Sequence, residues 1–289
     1  MLPNRNDLCW CGSGKKYKKC HLSFDEKLES FVRQGFHVPD HELIKTPAQI
    51  AGIRESCRLN VAILDEVARH IAPGVSTEEI NTLVHEQTLA FGAIPAPLDF
   101  EGFPKSTCTS INDQVCHGIP SPDVILKEGD ILNVDVSTIY GGYFSDSSRM
   151  FMIGDVSPER RRLVEATKEC LDRGLAAAKP WGFTGDIGDA VQTYAESLGY
   201  SVVKELGGHG VGNQFHEEPF ICHQGRPGTG TLLVPGMIFT IEPMINAGTS
   251  KIYINEANNW TVMTKDGQDS AQWEYTVLIT DCGAEVLAW

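Results

Sequence analysis

The strongest constraint on the fold of this chain is an internal repeat, visible when the sequence is compared with itself at a shift of about 107 positions. Residues 74–78 match residues 182–186, and residues 126–135 match residues 233–242. A third match joins two glycine-rich loops that each contain a histidine, at a shift of 92. Three matches in the same order are difficult to explain by chance. The sequence therefore predicts two similar halves related by a pseudo-twofold axis.

The repeat also predicts the helices of each half. Amphipathic patterns near 48–71 and 158–179 indicate one long helix in each half. A second helix follows each of them and ends at a glycine, Gly92 in the first half and Gly199 in the second, because glycine is the preferred residue just beyond a helix. Two helices followed by a strand and a hairpin in each half define an α+β fold class.

A hairpin in the first half is expected to bring two carboxylates together. Residues 131–138 and 143–152 read as strands joined by a glycine-containing turn at 140–142. Depending on where the turn is centred, Asp135 and Asp146 are either directly opposite or diagonal neighbours on one face. Two buried like charges repel strongly, so a shared metal ion is the natural reason for this arrangement.

The second half supplies matching ligands. Glu242 and Glu274 each lie in an apolar strand, at the positions that the repeat pairs with the two aspartates. His209 lies in a glycine-rich loop at 207–212, where the backbone can approach a ligand closely. Four carboxylates and an imidazole suit two divalent ions such as Mn(II), Fe(II) or Co(II), which can promote hydrolysis of a carbonyl compound. The alternative is a coincidence of buried acids at symmetric positions, which the rarity of buried acids disfavours.

The N-terminus holds a second candidate metal site. Four potential ligands fall within thirteen residues in a C-x-C-x8-C-H pattern: Cys9, Cys11, Cys20 and His21. They can close a tetrahedral zinc site that organises a segment too short for a core of its own. The alternative is a basic tail with incidental cysteines. We predict a zinc module at 1–24, a solvated linker at 25–45 and a catalytic domain at 46–289, with a short helix at 25–34 within the linker.

The composition of the chain indicates its cellular compartment and the kind of partner that it binds. The chain has nine cysteines, an odd number, and no apolar stretch near the roughly 18 residues that span a bilayer. Its start lacks the pattern of a signal peptide, so we expect a reducing, cytoplasmic location. The net charge is −14, yet residues 1–20 carry +4 and the remainder −18. This asymmetry predicts that the basic N-terminal segment, residues 1–20, contacts a polyanion.

Residues 46–289 resemble the type I methionine aminopeptidases. The resemblance rests on Val-Cys-His-Gly-Ile-Pro at 115–120, Asn-Val-Asp-Val at 133–136, Phe-His-Glu-Glu-Pro at 215–219 and Thr-Ile-Glu-Pro-Met at 240–244. It implies the pita-bread fold, with two metal ions in the cleft between the pseudo-symmetric halves. The N-terminal pattern resembles the SEC-C motif, a zinc-binding segment known from the SecA preprotein translocase, although Trp10 stands where proline is common.

The same resemblance implies a role for each site residue. The metal ligands would be Asp135, Asp146, His209, Glu242 and Glu274, with Asp146 and Glu274 bridging the metals. A metal-bridging hydroxide would attack the carbonyl after Met, with Glu242 as the proton shuttle. His216 would stabilise the developing oxyanion, and His117 would hydrogen-bond the peptide nitrogen beyond the cleaved bond. From the residues alone, both histidines could instead be ordinary core histidines.

Further positions are similar to the family's substrate pocket and cation site. The pocket for the methionine side chain would be formed by Phe100, Phe103, Cys108, Phe215 and Trp260, which as bare sequence are simply apolar residues. Asn112 and Ser270 resemble a monovalent-cation site. Pro97 stands where such enzymes often have cysteine, so the rim of the pocket is expected to differ.

The expected activity is removal of the initiator methionine from nascent proteins whose second residue is small. A proline-specific aminopeptidase or prolidase shares the fold but carries a large additional N-terminal domain, and a creatinase-like enzyme does not need the metal ligands. A non-catalytic ribosome-binding relative would lack ligands that are all present here. For residues 1–21 we expect the ribosome or an export chaperone as partner, and neither a membrane nor specific DNA.

Overall fold

The computed structural model describes residues 2–289. Five α-helices run in the order α1 Leu22–Arg33, α2 Pro47–His70, α3 Thr77–Ala90, α4 Pro158–Ala177 and α5 Thr184–Ser197. The strands of the first half are β1 Ile94–Pro95, β2 Cys108–Ile111, β3 Gln114–Cys116, β4 Ile131–Tyr140 and β5 Tyr143–Met152. Those of the second half are β6 Ser201–Val202, β7 Gly208–Gly210, β8 Glu217–Ile221, β9 Ile238–Ile241, β10 Met244–Asn246, β11 Ile252–Ile254, β12 Val262–Thr264, β13 Ser270–Gln272, β14 Tyr275–Ile279 and β15 Ala284–Ala288.

Two larger sheets form the centre of the described fold. In one sheet β4 pairs with β1, β2 and β5, and in the other the order is β15-β14-β9-β7-β8. Helix α2 packs against both larger sheets, and α4 packs against β9 and against β10 and β13 of a smaller sheet, through buried aliphatic side chains. Smaller sheets, β13-β10-β6 and β11-β12-β3, lie beside them. No helix among residues 2–289 is both long and apolar enough to cross a bilayer.

The predicted repeat is present in the backbone hydrogen bonds. Before α3, the amide of Gly74 bonds to the carbonyl of Leu126 at 2.8 Å. The corresponding bond before α5 joins Trp181 to Leu233 at 2.6 Å, 107 positions further along for both partners. Short β-bridges repeat in the same register, Ser76 with Ile125 and Phe183 with Leu232.

Local signals explain where the helices begin and end. Thr46 caps α2 in a reciprocal arrangement with Gln49, and Ser76 caps α3 in the same way with Glu79. Beyond α3 and α5, Gly92 and Gly199 adopt φ angles of 70° and 81°, a left-handed conformation that glycine adopts without strain. The helices of both halves therefore lie where the repeat predicts them.

The segment 25–45 differs from the solvated linker that the sequence predicts. It begins within α1, whose Leu28 is buried in the core of the second half. Ile44 is buried in the same core and forms a β-bridge with Met237. These apolar side chains pack against residues that are distant in sequence. The polar composition of the segment around them therefore does not reveal that they are buried. The N-terminal segment is thus held against the second half; Met1 lies outside the described residues.

Candidate active site

The β4–β5 hairpin positions the first two carboxylates. Gly141 and Gly142 form its two-residue turn, with φ angles of 58° and 84°. In the resulting register Ser137 is opposite Asp146, which makes Asp135 the diagonal neighbour of Asp146 on the same face. The second of the two predicted registers is the one observed, and it brings both carboxylates toward the same space between the sheets.

Hydrogen bonds fix the orientation of Asp146 and leave Asp135 without a partner. Ser137 Oγ donates to Asp146 Oδ1 at 2.8 Å. The carboxylate atom Oδ1 of Asp135 is buried and has no hydrogen-bond partner among the described residues. A buried acceptor without a donor is costly, so this atom is suited to a ligand that the protein itself does not provide.

Glu242 comes directly after β9, and three hydrogen bonds hold it in place. Its Oε1 accepts a hydrogen bond from Thr240 Oγ1 at 2.6 Å, and its Oε2 accepts one from Gln272 Nε2 at 3.1 Å. Its backbone amide donates to Nε2 of His223 at 3.0 Å. The sequence alone does not point to His223 as part of the site. It is buried beneath the site, and a contact across nineteen residues carries no local sequence signal.

His209 presents its Nε2 atom to the acids. Its Nδ1 lies 3.0 Å from the carbonyl of Gly210, which favours a proton on Nδ1 and a free lone pair on Nε2. Nε2 is 3.7 Å from Asp146 Oδ2 and 3.6 Å from Glu242 Oε1. A side chain at Gly208 would lie 2.2 Å from the carbonyl of Thr240, so glycine is required for this approach.

Burial controls the protonation of the whole cluster. It raises the pKa of Asp135 to about 6 and that of Glu242 to about 8. Burial first, and the neighbouring carboxylates second, raise the pKa values of Asp146 and Glu274 well above their usual range. Burial, with a smaller contribution from His216, lowers the pKa of His209 to about 4. Such a concentration of shifted groups in one cavity is typical of a metal or catalytic centre.

The donor set fits divalent cations. Ligand atoms of Asp146, His209 and Glu274 lie within 4.8 Å of one another. Glu242 is within 3.6 Å of His209, and the unpartnered oxygen of Asp135 belongs to the same cavity. Oxygen and imidazole donors suit first-row divalent ions, and positive charge would relieve the repulsion among these carboxylates.

The acids form one wall of a cavity of about 370 Å³. The same cavity is lined by the residues that the resemblance assigns to the substrate pocket: Phe100, Phe103, Cys108, Phe215 and Trp260. Ring centroids are 5.2 Å apart for Phe103 with Trp260 and 4.9 Å apart for Phe100 with Phe215. Side chains that sequence reasoning missed also line the cavity, namely Glu101, Ser137, Glu205, Leu206, Phe220 and Met244.

Two further histidines face the same cavity. The His216 ring is 4.3 Å from the His209 ring, centroid to centroid, and lies against Phe215 at 4.4 Å. His117 lines the wall near Trp260, with a ring separation of 6.2 Å. Burial lowers the pKa of His117 to about 4, so it is neutral near pH 7 and can donate only from one ring nitrogen.

Asn112 and Ser270 are adjacent but already satisfied by protein groups. The amide of Ser270 donates to the carbonyl of Asn112 at 2.9 Å. The Asn112 side chain donates to Asp130 and accepts from Ile131, and Ser270 Oγ donates to Asn246 Oδ1 at 2.8 Å. The structure therefore brings the two residues together and shows both side chains engaged within the fold.

The N-terminal ligands also converge. His21 Nδ1 lies 3.1 Å from Cys9 Sγ and 3.2 Å from Cys20 Sγ, and Cys11 Sγ lies 3.6 Å from Cys20 Sγ. All four ligand atoms are within 4.8 Å of one another. A tetrahedral zinc ion with bonds of about 2.3 Å to sulfur places its sulfur ligands about 3.8 Å apart. The separation of 3.6 Å between Cys11 Sγ and Cys20 Sγ is close to that value.

Known proteins resemble both parts of the chain. A model of metallopeptidase family M24 matches residues 51–281, and a model of the SEC-C motif matches residues 5–23. A curated methionine aminopeptidase of Chlamydia trachomatis is 46% identical over 286 residues, which cover 98% of each protein. The crystal structure of methionine aminopeptidase from Rickettsia prowazekii is 44% identical with a TM-score of 0.83, covering 85% of this chain and 99% of that one.

The prolidases are more distant. Prolidase from Pyrococcus furiosus is 26% identical with a TM-score of 0.68, and the match covers 86% of this chain but only 65% of that one. The chain therefore belongs to metallopeptidase family M24, whose members have this two-half fold. Within that family it belongs to the methionine aminopeptidases, and the predicted family and fold class are confirmed. Family membership implies divalent metal ions at the active site.

Proposed function

We propose that this protein removes the N-terminal methionine from nascent polypeptides when the second residue is small. The observation that carries the proposal is a single cavity that is lined both by four carboxylates and three histidines and by a set of aromatic rings. The aromatic rings are apolar and suit the methionine thioether, since sulfur packs favourably against ring edges. The carboxylates suit the metal ions and the free amine of the substrate.

Two divalent ions would be held by five residues: Asp135, Asp146, His209, Glu242 and Glu274. The candidate ions are manganese, iron and cobalt. When bound, such ions polarise a carbonyl and lower the pKa of water, which makes a nucleophile available near neutral pH. The ions would also hold the acids in their ionised form, since a nearby positive charge opposes the effect of burial on the pKa.

The protein's own side chains then orient the substrate and move the proton. Thr240 and Gln272 hold both oxygens of Glu242, and in this proposal its carboxylate accepts a proton from the attacking water and returns it to the leaving amine. His216 would stabilise negative charge on the carbonyl oxygen. His117 would hydrogen-bond the peptide nitrogen beyond the cleaved bond.

A comparison of tripeptide substrates tests this function. Manganese-dependent release of Met from Met-Ala-Ser should be fast, while Met-Leu-Ser and Xaa-Pro peptides should be poor substrates. Preferential cleavage of the Xaa-Pro peptides would instead assign the chain a prolidase-like activity. No cleavage of any peptide by metal-loaded protein would leave the non-catalytic, ribosome-binding alternative.

For residues 1–24 we propose a zinc module that recruits the enzyme to nascent chains, at the ribosome or through an export chaperone. Support comes from the four convergent ligands and from five exposed bases around them, Arg5, Lys15, Lys16, Lys18 and Lys19. The rest of the chain carries −18, which repels a phosphate-rich surface, whereas this patch attracts one in a salt-dependent manner.

Charge substitution is a better test than deletion, because α1 packs the module onto the catalytic domain. Replacing the four lysines of the module with glutamine should weaken co-sedimentation with ribosomes, most strongly at low salt. The matched control replaces four exposed bases elsewhere, Arg58, Lys127, Arg162 and Lys265. Equal co-sedimentation of both variants and the parent across a salt series would exclude the ribosome-binding role.

A further inference from the structure

The loop between β7 and β8 carries two groups of the active-site cavity, Phe215 and His216. Its shape depends on the carboxylate that follows it. Glu217 Oε1 accepts hydrogen bonds from the backbone amides of Asn213 at 2.7 Å and Gln214 at 2.8 Å. One carboxylate oxygen thus closes the loop on itself, and the orientation of that carboxylate determines where the His216 ring lies.

The other oxygen of Glu217 is held by Lys45, which lies 172 residues earlier in the chain. Lys45 Nζ forms an ion pair with Glu217 Oε2, and the two side chains are 1% and 9% exposed. Charged side chains are rarely buried to this degree unless each has its partner. The pair is therefore a specific internal contact and differs from the exposed ion pairs of the helices, which contribute little.

Backbone contacts hold Lys45 in place beneath the loop. Its amide donates to the carbonyl of Gly236 at 2.8 Å, and Thr46, the next residue, caps α2. Its side chain runs under Gly212, where an added Cβ would lie 3.6 Å from Lys45 Cε. The backbone of Lys45 is thus fixed, and its ammonium group contacts the carboxylate of Glu217.

We propose that Lys45 is a positioning residue for the reaction: through Glu217 it holds the loop that places His216. The proposal rests on the role proposed above for His216, and Lys45 acts through Glu217 without touching the substrate. Displacement of a catalytic group by about 1 Å can lower turnover roughly a hundredfold, so a loosened loop has a measurable consequence.

The test is a double-mutant cycle in kcat on the metal-loaded, full-length enzyme. Lys45→Met keeps the length of the side chain and removes its charge, and it should lower kcat for Met-Ala-Ser about tenfold or more. In a His216→Asn background the same substitution should lower kcat less than twofold further, because the group that it misplaces is already gone. Lys45→Arg, which keeps the charge, should restore most of the activity.

Thermal midpoints measured on every variant separate loss of folded protein from loss of positioning. Arg54→Met is the matched control: it also breaks an ion pair, with Glu285, and should leave kcat unchanged.

Equal losses in both backgrounds, or unchanged kcat in folded Lys45→Met, would overturn the positioning role. If Lys45→Met does not fold, Glu217→Gln takes its place in the cycle. A full-activity His216→Asn enzyme would refute the role of His216 itself, which is a separate result.

Discussion

Thr240 lies two residues before Glu242 on the chain, and its hydroxyl donates a 2.6 Å hydrogen bond to Glu242 Oε1. Gln272 donates to the other oxygen at 3.1 Å, so the carboxylate is held at both ends. Neither donor can take up a proton at neutral pH. Glu242 is therefore fixed in orientation, as the proposed role of proton shuttle requires.

The substitution Glu242→Gln tests this arrangement. The amide keeps the shape of the side chain but cannot relay a proton, so we expect kcat to fall by about 10²–10⁴. Metal content and the circular dichroism spectrum should stay close to those of the parent, because four other ligands remain. Turnover near that of the parent in the purified, metal-loaded variant would show that another group moves the proton.

The stability of metal-free protein should decrease as the pH rises from about 7 to 8. In this window Glu242, with a pKa of about 8, holds its proton in the folded state, whereas in the unfolded chain its pKa is about 4.3 and the proton is lost. The folded state thus binds more protons, and stability falls with increasing pH. Burial lowers the pKa values of His117 and His209 to about 4 and that of His223 to about 3, so in the folded state all three are neutral. In the unfolded chain they lose most of their protons by about pH 7.5, so they oppose the decline mainly below pH 7. The raised pKa values of Asp146 and Glu274 act in the same direction as that of Glu242.

Thermal midpoints of chelator-treated protein measure this effect. The decline should be smaller in Glu242→Gln, and added Mn(II) should raise the midpoint more at pH 8 than at pH 6.5, because the metal replaces bound protons. A midpoint that is independent of pH in the metal-free parent contradicts the protonation assigned to the cluster.

Sequence patterns predicted the repeat and the hairpin because their signals are local. Turn glycines and strand periodicity set the register that brings Asp135 and Asp146 together. The contacts that sequence reasoning missed are distant in the chain. Lys45 meets Glu217 across 172 residues, and Leu28 packs into a core built mainly from the second half. A charged or apolar residue in a polar segment does not reveal which surface will cover it.

Loss of zinc from the N-terminal module should lower stability and spare catalysis. Cys20→Ser removes one of four ligands, and metal analysis should then find one zinc fewer per chain than in the parent. Trp10 and Phe24 pack against the core of the second half. The thermal midpoint should fall, because loss of a ligand is expected to loosen the module and these contacts with it. Turnover of Met-Ala-Ser should not change. Cys282→Ser, at an exposed cysteine outside the module, is the control and should alter none of these values.

A buried carboxylate links the zinc module to the rest of the chain. Asp25 Oδ2 accepts hydrogen bonds from Trp10 Nε1 at 3.0 Å and Tyr17 Oη at 2.6 Å, and Oδ1 lies 2.8 Å from His41 Nε2. Asp25→Ala leaves the indole and phenol donors without partners, so it should lower the free energy of unfolding by about 2–4 kcal/mol.

The same substitution should expose residues 5–20 to protease in otherwise folded protein, while kcat for tripeptides stays that of the parent. Asp40→Ala provides the matched control, since this exposed aspartate in the same segment caps no buried donor. Asp25→Asn should have a smaller effect, because its amide oxygen still accepts one of the hydrogen bonds. Equal protease sensitivity of Asp25→Ala and Asp40→Ala would show that zinc ligation alone, without the Asp25 contacts, keeps the module ordered and docked.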